Sequence, residues 1–89
     1  MPTLSCFYGI IVSMHQEDST QHHTPHIHVE CAEHEASISL NDITILAGDL
    51  PKNKLRLVEA WIEIHREDLM NNWILLQRGL RHFPIDPLK

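Results

Sequence analysis

Four histidines fall within seven positions of this chain, in His22-His23-Thr24-Pro25-His26-Ile27-His28, and Glu30 follows two residues later. Imidazoles gathered in this way suit three kinds of chemistry. His26, His28 and Glu30 offer an N/N/O donor set for zinc or another borderline divalent ion, with His22 or His23 as a further ligand. Two imidazoles can instead share proton transfer, one as general base and one as general acid, as a two-histidine nuclease or phosphoesterase requires. A cluster can also protonate together near pH 6 and alter an interface. The plain alternative is a solvated strand face whose imidazoles hydrogen-bond to the loop before it.

A second group lies in Ile64-His65-Arg66-Glu67-Asp68-Leu69-Met70-Asn71-Asn72-Trp73. On a helix, His65, Asp68 and Asn72 share one stripe, and a carboxylate one turn away can orient an imidazole and raise its basicity. The plain reading is an exposed polar patch, with Trp61 and Trp73 as core residues. His65 thus joins His26 and His28 as a candidate catalytic residue, and Glu30, Arg66, Asn72 and Tyr8 are candidate binding residues. The spacing of His26, His28 and Glu33 matches the ligands of cupin barrels, but the flanking glycines and the second half-motif are missing.

The elements that must position these groups follow from periodicity. Leu4–Met14, with Phe7, Tyr8, Ile10, Ile11 and Val12, reads as one β-branched and aromatic strand, and Gly9 inside it marks a bulge or close approach. Residues 15–25 form a polar loop ending in proline. His26–Cys31 alternates, so Ile27, Val29 and Cys31 point to a core while His26, His28 and Glu30 share the other face. His34–Leu40 alternates likewise, Asn41-Asp42 is a turn, and Ile43–Ala47 is a short strand. Pro51 then opens a helix that runs from Lys52 to Arg78 without Gly or Pro and is capped by Gly79; its polar cluster His65–Asp68 is either a bend between two helices or an exposed turn. The expected fold is α+β: one domain over residues 1–89, with a three- to four-stranded antiparallel sheet packed against a long or bent C-terminal helix.

Composition narrows the function. The 89 residues carry 12 acidic and 7 basic side chains, a net charge of −5, so generic DNA binding is not expected. No apolar run approaches the roughly 20 residues of a membrane span. The start Met1-Pro2-Thr3 lacks the basic stretch of a signal peptide, and two separated cysteines, Cys6 and Cys31, read as buried free thiols. A cytoplasmic protein is the expectation, with no cofactor required and zinc as the alternative.

Met-Pro-Thr-Leu-Ser-Cys-Phe-Tyr-Gly-Ile at the start, Pro-His-Ile-His-Val-Glu in the middle, then Gly-Asp-Leu-Pro and His-Arg-Glu-Asp-Leu-Met-Asn-Asn-Trp, in that order, resemble a family of small bacterial proteins of unknown function. The resemblance covers nearly the whole chain and falls on Phe7, Tyr8, Gly9, Pro25, His26, His28, Val29, Pro51, His65, Arg66, Leu69, Asn72 and Trp73. Thr24 and Ile27 depart from the family's Pro and Phe, and His15, His22 and His23 lie outside its pattern. Such proteins are often encoded beside another small protein, in the manner of a type II toxin–antitoxin pair, and some are similar to the DhiT toxins. The resemblance therefore implies a toxin-like component with a small antitoxin-like partner encoded nearby. No catalytic mechanism comes with the resemblance; acid–base attack by the histidines on a phosphate-containing or nucleic-acid target is the expectation from the residues themselves. The alternatives are a non-enzymatic binding module acting through a complex with its small partner and a small metal-binding protein; the chain could also form a homo-oligomer.

Overall fold

The computed structural model describes residues 3–15 and 24–89. Five strands, β1 (Thr3–Phe7), β2 (Ile10–Ser13), β3 (His26–Cys31), β4 (His34–Ser39) and β5 (Ile45–Gly48), precede two helices, α1 (Lys52–Ile64) and α2 (Arg66–Gln77). The strands form one antiparallel meander in sequence order, with C-terminal helices completing an α+β fold.

Two expectations are corrected. The single strand over Leu4–Met14 is a hairpin, and this supplies the fifth strand. Tyr8 and Gly9 both have left-handed backbone, at φ 51° and 77°. Positive φ at both central residues makes the two-residue turn whose twist matches its flanking strands, so Gly9 turns the chain rather than bulging it. The long helix is two helices. Twenty-six helical residues in one rod would reach about 39 Å, whereas a six-residue strand is only about 20 Å long. The chain leaves helical geometry at His65 (φ −111°, ψ 23°), and α2 crosses the end of the sheet instead of overrunning it. Arg66 fixes that crossing: its Nη1 donates to the carbonyls of Leu40 (2.7 Å) and Asn41 (3.2 Å), and its Nη2 meets Glu63 Oε1 at 2.7 Å.

The core lies between the sheet and the helices. Phe7, Ile10, Val12, Ile27, Val29 and Ile38 meet Val58, Trp61, Ile62, Leu69 and Leu76 there, all buried. Helix α2 closes with amides of Gly79 and Leu80 donating to the carbonyls of Leu76 (3.0 Å) and Leu75 (2.8 Å), the paired bonds of a Schellman ending. The extended tail returns to the sheet, where Ile85 N–H donates to Leu4 O and Trp61 Nε1–H donates to Asp86 O. At the other edge all four residues of β5 are exposed, Ile45 and Leu46 among them. Of the two thiols, Cys31 is buried as expected. Cys6 is exposed, because its place in β1, paired with Ile11, puts it on the face away from the core. Among the described residues no helix is long and apolar enough to cross a membrane.

Candidate functional site

Register builds the site. A two-residue turn at Ala32-Glu33 pairs Cys31 with His34, and every pairing upstream follows: Glu30 with Glu35, His28 with Ser37, His26 with Ser39. On the other flank, Ile11 pairs with Glu30 and Ser13 with His28. The face opposite the core therefore carries ordered rows. One reads Cys6, Ile11, Glu30, Glu35; the next reads Ser13, His28, Ser37, Ala47; a third pairs His26 with Ser39. The alternation predicted for β3 is present, with Ile27, Val29 and Cys31 in the core.

His28 is the centre of this face. Its Nε2 lies 3.4 Å from Ser37 Oγ, and the ring of His15, just beyond β2, stands edge-on to it with centroids 4.7 Å apart. Burial, then the neighbouring imidazoles of His15 and His26, hold the His28 pKa below the ordinary histidine value; the carboxylates of Glu35 and Glu30 pull it partly back. An imidazole so placed is neutral at pH 7 and has a lone pair with which to accept a proton. His28, Glu35, Ala36, Ser37, Ala47 and Gly48 line a shallow depression of about 190 Å³.

His26 is different. It is almost wholly buried, its ring 5.2 Å from that of Trp73 in α2, and its Nδ1–H donates to the Thr24 carbonyl at 2.8 Å. That bond fixes the tautomer and turns Nε2 into the acceptor nitrogen. Its burial arises from α2 lying across the end of the sheet, where Gln77 Nε2 also reaches the His15 carbonyl.

The structure brings His26, His28 and Glu30 together on one face, and places the remaining candidates elsewhere. His65 sits at the break between the helices against Trp61, 5.5 Å between centroids, and lines a separate depression with Ile64 and Asp86–Lys89. Arg66 spends its guanidinium on Leu40, Asn41 and Glu63. Asn72 is fully buried; its amide donates to Phe83 O and accepts from Phe83 N–H, both at 2.9 Å, which pins the tail. Tyr8 stands exposed at the β1–β2 turn, with its carbonyl taking a 2.7 Å bond from Lys54 Nζ. That turn lies beyond the Cys31 end of the sheet, away from His26.

Sequence reasoning missed His15 and Ser37. Ser37 was within reach, since a two-residue turn at Ala32-Glu33 makes paired positions sum to 65 and sets Ser37 opposite His28. Nothing comparable locates His15, which lies two residues past the end of β2. Among the described residues no group of three His, Cys, Asp or Glu side chains could hold a metal ion. His22 and His23, the further ligands of the zinc reading, lie outside the described residues. No curated protein and no solved structure matches this chain. Residues 9–74, which include the His15, His28 and Ser37 cluster, match the family described as Domain of unknown function (DUF4160), and the chain belongs to it.

Proposed function

We propose that this chain is the toxin-like component of a bacterial two-gene module, working in the cytoplasm and restrained by a small partner protein encoded beside it. The resemblance set out above supports the module. The observation that carries the chemistry is the imidazole of His28, with the ring of His15 edge-on to it and the Ser37 hydroxyl 3.4 Å from its Nε2. His28 is the general base in this reading. His15 is its companion. Glu30 and Glu35 repel a phosphodiester backbone, and among the described residues neither Lys nor Arg lines the depression, which speaks against a nucleic-acid target. Expression of the chain alone should inhibit growth, and co-expression of its genomic neighbour should relieve it. His28→Ala should abolish inhibition while keeping the fold and partner binding, since proton transfer supplies roughly a hundred- to ten-thousandfold in rate. A folded His28→Ala protein as toxic as the parent would refute the catalytic part.

A second reading has its own observation. The free edge of β5 exposes Ile45 and Leu46 with no charged residue in the strand, which suits a non-enzymatic module that acts by pairing with a partner's strand. In that case His28→Ala leaves the growth effect intact and Leu46→Lys removes it.

A further inference from the structure

We propose that Ser37 is a nucleophile activated by His28, and that the pair attacks a neutral carbonyl ester or amide. The inference rests on the proton-transfer reading of His28. Ser37 and His28 are direct cross-strand partners with Oγ 3.4 Å from Nε2, so the hydroxyl can donate to the ring nitrogen without backbone movement. A nucleophile beside a base, with a third group bracing the base, is the arrangement that nucleophilic catalysis needs, and such distances are often loose before substrate binds. The ring of His15, packed edge-on against His28 with centroids 4.7 Å apart, takes that bracing place by contact.

The surroundings of Ser37 support the same assignment. It lines the depression, and its partner across the β4–β5 ladder is the small residue Ala47. The ladder shifts register immediately after this pair, between Ser37 and Ile38. Bulges of this kind occur beside active sites, where they re-aim a side chain. The backbone of Gly48 completes the wall, pressed so closely on β4 that a Cβ there would run into the Glu35 carbonyl oxygen.

Charge selects the substrate. Glu35 lines the depression and Glu30 is its cross-strand partner, so an anionic ester meets two carboxylates where a neutral one meets none of that repulsion. The step balances as follows. Ser37 Oγ bonds to the carbonyl carbon as its proton passes to His28 Nε2. The carbon–oxygen or carbon–nitrogen bond to the leaving group then breaks, and the leaving group takes that proton. Water hydrolyses the acyl-serine, giving one proton to His28 and its hydroxyl to the carbonyl carbon; the acid departs and Ser37 regains its hydrogen.

A neutral fluorophosphonate probe tests this on the full chain, because attack by an activated serine expels fluoride and leaves a stable adduct. Peptide mapping should place one adduct on Ser37. The labelling rate should fall at least about a hundredfold in folded His28→Ala. Ser37→Cys, a one-atom change that preserves the site, should react with iodoacetamide faster than free cysteine in a manner that depends on His28. An unlabelled Ser37 in the parent, or equal labelling with and without His28, would overturn the proposal. Growth assays keep the two readings apart. Toxicity that needs His28 but survives Ser37→Ala, with Ser37 unlabelled, removes the nucleophile and leaves proton transfer by His28 standing. Labelled Ser37 in a chain whose toxicity ignores His28 upholds the nucleophile and ends the catalytic account of toxicity.

Discussion

His28 titrates below the ordinary histidine value in the folded chain, and the sign of the consequence is fixed by that. Above about pH 7.5 the ring is neutral in both folded and unfolded states and contributes nothing to pH dependence. As pH falls through about 6.5 the unfolded chain takes up the proton first, so folding weakens until the folded-state pKa is passed. The urea midpoint should therefore drop between pH 7.5 and 5 by more in the parent than in His28→Gln; equal slopes would show that the ring is not so perturbed. Ser5 poses the opposite case, since its buried hydroxyl has no hydrogen-bond partner among the described residues. Ser5→Ala should cost nothing and raise stability by about 1 kcal/mol, measurable in the same titration. Asn72→Ala should cost roughly 2–4 kcal/mol, because it strands both the N–H and the C=O of Phe83. The helical stripe of His65, Asp68 and Asn72 was legible as a pattern. Which of its members faced inward depended on the tail, and no periodicity within the helix encodes where Phe83 will dock.

Among the elements, β3 was the most legible, because strict alternation leaves one register that buries Ile27 and Val29. The hairpin at Tyr8-Gly9 was hidden because Phe7, Ile10 and Val12 continue an apolar run across the turn, and the usual Asn-Gly signal is absent. The break at His65 was half visible, as a polar cluster without Gly or Pro. Its cause is tertiary, in Arg66 reaching the carbonyls at the end of β4. Strand β5 pairs with β4 at Ile45, Ala47 and Gly48, and Gly48 is the position least open to substitution. Gly48 combines φ 77° with contact against the Glu35 carbonyl, so Gly48→Ala is strained in conformation and in space. It should destabilise the fold by roughly 2 kcal/mol or more and speed amide exchange in residues 45–48 ahead of the rest of the sheet. Uniform exchange would mean that β5 is anchored by other contacts.

For the whole molecule, the α+β class and the antiparallel sheet were readable because period two gives way to the helical period once, at Pro51. The location of the site was readable in part: the face was, its membership was not. Metal dependence is a property of the complete chain, His22 and His23 included. With no three-donor group among the described residues, the melting temperature should be the same with added zinc and with chelator. A rise with zinc, on the order of 3 kcal/mol at a hundredfold excess over Kd, would restore the metal reading.

The bond from Ile85 N–H to the Leu4 carbonyl joins residues 81 positions apart in the chain, 85 minus 4, at the outer edge of β1. Loop-closure entropy makes so remote a contact a late one on the path to the native state, formed after the hairpins and helices have shortened the effective distance. Interactions made after the transition state govern the rate of leaving the native state and hardly touch the rate of reaching it. Ile85→Pro removes the donor, and Ile85→Ala trims its buried side chain. Both variants should shift the unfolding arm of the chevron upward and leave the refolding arm in place. The tail would then be a kinetic latch, setting how long each molecule stays folded.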